Sequence, residues 1–78
     1  MDSAVKMIRE RISKMPPKEA IEYIKSFELP EEEELFIIER DVRRKSIVSI
    51  SDKNAVSVET VSRRRHDGYA KIAASKSK

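Results

Sequence analysis

Residues 46–72 read SIVSISDKNAVSVETVSRRRHDGYAKI, and this stretch decides the fold. Two short amphipathic segments flank Asn54-Ala55, and the second carries the run Arg63, Arg64 and Arg65. The pattern predicts a helix-turn-helix, a unit that lays its second helix in the DNA major groove. Ser46 is placed to cap the first helix, which buries Ile47 and Ile50 and reaches about Asn54. Asn tolerates left-handed dihedrals better than most residues, so Asn54 is expected to end that helix without glycine. Ser57 caps the second helix, and Val56 and Val61 are spaced for a hydrophobic staple across its first turn. Val61, Gly68 and Ile72 share one inward face, with Tyr69 beside them and Gly68 leaving room for a neighbouring helix.

Upstream the chain breaks into three further helices. Asp2 or Ser3 can cap the first, whose apolar positions Val5, Ile8, Ile12 and Met15 make one stripe. Pro16 and Pro17 stop it, and Pro17 then suits the opening turn of a second helix. That helix is expected to run to about Phe27 with Ala20, Ile21, Ile24 and Phe27 on one face and Tyr23 adjacent. Leu29-Pro30 ends it, and Glu31, Glu32, Glu33 and Glu34 open a third helix. Four carboxylates in one turn raise the option of a cation site or an acidic docking patch. Their fit to the partial positive charge of a helix start is the stronger explanation. Leu35, Ile38 and Val42 form the expected buried stripe of this helix, with Ile37 flanking it.

With 78 residues the chain has room for one small domain. One Gly, three Pro and 40% charged residues suit a helical bundle better than a sandwich or barrel. The expected fold is therefore all-α, a small bundle of about five helices with a C-terminal helix-turn-helix. Residues 1–15 form an amphipathic helix for packing or for a homodimer, residues 16–72 the main domain, and residues 73–78 a flexible tail. Lack of cysteine excludes disulfides and thiolate chemistry. Apolar runs are too short to span a membrane and no secretory signal is evident, so a cytoplasmic protein is expected.

Charge is unevenly spread. Residues 1–38 carry six Lys/Arg against nine Asp/Glu, whereas residues 39–78 carry eleven against five. The basic half holds the helix-turn-helix, as a nucleic-acid footprint requires.

Residues 20–72 resemble the C-terminal, region-four domain of bacterial sigma factors, and the chain is similar to small sigma-like regulators carried by phages and mobile elements. The match rests on Leu29-Pro30-Glu31-Glu32, then Arg40 to Arg44, then Ser46-Ile47-Val48-Ser49-Ile50. Val56-Ser57-Val58-Glu59-Thr60-Val61 and Tyr69-Ala70-Lys71-Ile72 follow, in one register without a gap from Ser46. Three positions depart from the family pattern. Asn54 stands where an apolar residue is usual, Ala55 where Gly is usual, and Arg64 where a buried aliphatic is usual. An arginine there must snorkel or find a carboxylate. The chain has no counterpart of the promoter-melting domain, so a regulator is expected rather than a complete initiation factor.

The resemblance implies a sequence-specific DNA-binding regulator of transcription with double-stranded DNA as partner. Matching positions make Val58, Glu59, Ser62 and Arg63 the base-reading candidates, with His66 one turn on. Glu59 would accept from cytosine N4, Arg63 would fork onto guanine O6/N7, and Val58 would meet a thymine methyl. Arg43, Arg44, Lys45, Arg64, Arg65 and Lys71 are expected at phosphates, joined by Ser46 and Ser57 at the helix starts. A lone histidine gives no metal cluster or catalytic triad, so neither a cofactor nor an enzyme is expected. The competing reading is a protein-interaction module that docks on RNA polymerase, or another transcription protein, without binding DNA itself.

Overall fold

The computed structural model describes residues 3–76 as helices joined by short connections. In chain order they are α1 (Ser3–Lys14), α2 (Pro17–Lys25), α3 (Glu31–Ile37), α4 (Ile47–Asn54) and α5 (Val58–Lys76). A π-helical turn, Ile38–Val42, continues α3. The all-α small bundle expected from the sequence is what the chain adopts. No described helix is long and apolar enough to cross a membrane.

Proline sets two of the helix starts. Pro17 occupies the first turn of α2, where a missing N–H loses no helical bond, and Pro30 precedes α3 in an extended conformation. The α2 helix ends at Lys25, two residues before the expected Phe27. Phe27 N–H instead bonds to Ile24 O at 3.3 Å, and Glu28 follows in the left-handed region (φ 52°). Tyr23 and Phe27 stack edge to face with ring centroids 5.1 Å apart. Asp2, one of the two expected caps of α1, lies outside the described residues, and Ser3 is already helical.

The core has two parts. In the larger, Val5, Ile8 and Ile12 of α1 meet Ala20 and Ile24 of α2, Ile37 and Ile38, and Tyr69 and Ile72 of α5. In the smaller, Phe36 meets Ile50 of α4 and Val61 of α5, with Ile47 and Val56 packed on its edge. The stripe of α1 is thus covered by its own chain, which leaves Met7, 65% exposed, as the large apolar side chain it turns outward.

The stripe expected on the third helix is corrected. Leu35 is exposed, Val42 is only partly buried, and the fully covered residues are Phe36, Ile37 and, nearly so, Ile38. Consecutive residues are buried because α3 and its π turn lie between elements, touching α1, α2, α4 and α5. Phe36 joins the smaller cluster with Ile50 and Val61, while its neighbour Ile37 joins the larger one and turns its Cδ1 toward Gly68 of α5. A helix surrounded in this way has no single apolar stripe to read.

The last helix also runs farther than expected. Ala73 packs against the core and α5 continues to Lys76, through part of the stretch expected to be a flexible tail. Two alanines favour that continuation. Ser77 and Lys78, the rest of that tail, lie outside the described residues.

Candidate nucleic-acid interface

Hydrogen bonds fix both ends of α4 and the start of α5. Ser46 Oγ accepts from Ser49 N–H at 3.1 Å, which caps α4. At the far end Val56 N–H donates to Ser51 O at 3.0 Å and Ala55 N–H to Asp52 O at 3.3 Å. These two bonds make a Schellman closure, with Val56 and Ile50 in one apolar cluster beneath it. Its left-handed residue is Ala55 (φ 55°, ψ 42°), not Asn54 as expected. Asn54 is the last helical residue, and its Nδ2 donates back to Ile50 O at 2.8 Å. Ser57 Oγ then accepts from Thr60 N–H at 3.1 Å and caps α5. Val56 and Val61, the expected staple, contribute to the same small cluster.

These anchors fix which side of α5 faces outward. Val61, Gly68, Tyr69 and Ile72 turn inward. Gly68 lets a neighbouring helix come close there: a β-carbon would lie 2.6 Å from Ile37 Cδ1, which would have to move, and 3.3 Å from Glu33 Cβ. The five base-reading candidates Val58, Glu59, Ser62, Arg63 and His66 are all exposed, and helical spacing puts them on one face.

The eight phosphate candidates divide by what already holds them. Arg65 is the most occupied. Its Nε donates to Asp41 Oδ2 at 3.1 Å and its Nη2 to Oδ1 and Oδ2 at 2.7 and 2.9 Å, with both side chains largely buried. Lys71 Nζ donates at 2.9 Å to Oε2 of the buried Glu33. Arg64 Nε lies 3.3 Å from Glu32 Oε1, so the arginine at the usually apolar position finds a carboxylate in the first turn of α3. Lys45 Nζ sits 3.1 Å from Oε2 of the buried Glu39, with Arg43 and Lys53 each 3.8 Å from the same carboxylate. Arg44 and Arg63 are exposed and have no carboxylate partner among the described residues. Ser46 and Ser57 keep their exposed places at the helix starts, their hydroxyls engaged as caps.

The acidic partners in this network are Glu32, Glu33, Glu39 and Asp41. Glu33 and Glu32 lie in the first turn of α3, as helix-dipole complementation requires, but each also answers a cation of α5. Glu39 and Asp41 flank Arg40 between the apolar Ile38 and Val42, and that placement is the signal that could have marked them as inward carboxylates. Beside Asp41, Tyr69 is almost fully covered. Burial, reinforced by the Asp41 charge, pushes its phenol far above the ordinary value of 10.0, so it stays neutral.

One cation near this face was not anticipated. Arg9 of α1 lines a small depression with Ser62, Arg65, His66 and Tyr69, beside the exposed face of α5. Comparisons of the chain with family models, curated proteins and solved structures return no match.

Proposed function

We propose that the chain is a sequence-specific DNA-binding regulator of transcription that inserts the start of α5 into the major groove. The observation that supports this most is the composition of the outward face. Val58, Glu59, Ser62, Arg63 and His66 offer a methyl contact, an acceptor, a hydroxyl and two donors on consecutive turns of one capped helix. Arg63 is the cation on that face with no carboxylate partner among the described residues, and it is therefore the residue assigned to read guanine. The ion-paired cations take a different role in this proposal. Arg65 and Lys71 hold α5 against the body of the domain, while Arg44 and the helix starts at Ser46 and Ser57 meet phosphates.

Selection of bound duplexes from a random pool tests the proposal. Enrichment of one short motif, with binding that weakens steeply as salt rises, is the expected result. Retention of the pool without enrichment at any salt concentration would contradict sequence reading.

A second reading is favoured by the acidic half. Leu35, 37% exposed, follows Glu31, Glu32 and Glu34 in α3, and together they make a surface suited to a basic protein partner such as a face of RNA polymerase. Capture of polymerase by a chain that retains no duplex in low salt would select it.

A further inference from the structure

A cleft of about 430 Å³ opens between α1, the π turn and the start of α4. Four arginines line it: Arg9 from α1, Arg40 from the middle of the π turn, Arg44 two residues after that turn, and Arg65 from α5. Asp41 is the one carboxylate among the lining residues, and the Arg65 fork already neutralises it. Arg40 is tied at the edge, its Nη1 donating to Lys45 O at 3.0 Å. Arg9 and Arg44 have no ion-pair partner among the described residues and stand on different elements. Two guanidiniums held by hydrogen bonds and two without an ion-pair partner among the described residues thus line one open cleft.

The backbone at this place is unusual in two independent ways. The π turn Ile38–Val42 is a helix type that recurs at functional sites. Arg44 follows it in the left-handed region (φ 58°), which a β-carbon disfavours and which persists where the surrounding structure holds it. Both features fall in the segment that supplies Arg40, Asp41 and Arg44 to the cleft.

The geometry points to a phosphate-binding site in this cleft, gripped by Arg9 and Arg44. Guanidinium is the side chain that binds phosphate through paired, in-plane hydrogen bonds. The cleft includes Ile47 at the start of α4, and Arg9 also reaches the depression beside Ser62 and His66. A phosphate seated here would therefore lie next to the exposed face of α5, and a DNA backbone is the source we assign. That assignment rests on the DNA reading; the phosphate chemistry of the cleft does not. It makes α1 part of the binding surface, where its sequence suggested packing or dimerisation alone.

Pyrophosphate titration of ¹⁵N-labelled protein, followed at the arginine Nε–Hε signals, tests the site without any duplex. Saturable shifts at Arg9 and Arg44 are expected. They should weaken at least tenfold in Arg9→Ala and in Arg44→Gly, the latter chosen because glycine accepts the left-handed backbone, and persist in Lys18→Ala. Absence of saturation, an equal response of Lys18→Ala and Arg9→Ala, or equal saturation by a polyglutamate peptide would overturn the site. A second arm identifies the source. With the selected duplex bound, pyrophosphate should compete, and Arg9→Ala should lower the log–log salt slope by about 0.9 on selected and scrambled duplexes alike. An unchanged slope and no competition would overturn the backbone assignment and leave a free phosphate compound as the occupant. Pyrophosphate saturation by a chain that binds no duplex would uphold the cleft while contradicting the DNA reading.

Discussion

Arg65 and Asp41, 24 residues apart in sequence, are joined by a forked ion pair whose closest contact is 2.7 Å. Both side chains are largely withdrawn from water, 12% and 15% exposed, so neither charge can be left alone without penalty. The pair ties α5 to the π turn. Arg65→Ala should lower unfolding free energy by about 3 kcal/mol, and Arg65→Lys should recover little because a point charge cannot reproduce the fork. Chemical denaturation of both variants and of Asp41→Asn checks this. Losses under about 0.5 kcal/mol would show the pair to be incidental.

The turn between α4 and α5 carries a removable strain. Ala55 occupies the left-handed position of the Schellman closure at φ 55°, where glycine has no β-carbon to clash. Ala55→Gly should raise stability by about 1 kcal/mol, despite the greater freedom glycine gives the unfolded chain. Thermal melts would register the change, and a lower midpoint would contradict the assignment of strain to this residue.

Gly68 presents the opposite case. Alanine favours a helix by about 1 kcal/mol over glycine, yet its β-carbon would meet the buried Ile37 at 2.6 Å. Ile37 is fully covered and has little space to yield, so Gly68→Ala should be net destabilising by about 1–2 kcal/mol. The combination with Ile37→Val, which trims the opposing side chain, should cost less than the two single changes summed.

Tyr69 predicts an alkaline weakness. Its folded pKa is raised by burial first and by Asp41 second, above the unfolded value near 10.0. The neutral phenol is shared by both states below that value, so its protonation costs nothing there. As pH rises past about 10, the unfolded chain releases the proton and the folded chain retains it. Stability should then fall by up to about 1.4 kcal/mol per pH unit from this group. Denaturation at pH 9 and pH 11 should show a smaller drop in Tyr69→Phe than in the parent. An equal drop would show that Tyr69 is not the source of the loss.

How much of this the sequence exposes follows from how locally each feature is determined. The stripe Val5, Ile8 and Ile12, the proline boundaries and the serine caps at Ser46 and Ser57 depend on neighbours within one turn, and all are readable in the chain. Phe36 is not, because α3 is covered from several sides and its burial has no period. Nor are the partners of Arg65 and Lys71, which lie 24 and 38 residues away and are set by packing. A run of three arginines looks uniform in sequence. Packing distinguishes them: Arg63 is outward, Arg64 leans on Glu32, and Arg65 is bound to Asp41.

That distinction supplies the most direct measurement for DNA reading through α5. Affinity of the parent chain and of Arg63→Ala is compared on the selected duplex and on each of its single-base-pair variants. Loss of discrimination at one base pair, by about 1–3 kcal/mol, with the remaining positions still read, is the predicted result. An equal loss on every duplex would reduce Arg63 to a phosphate contact and contradict the base-reading role of the helix face it occupies.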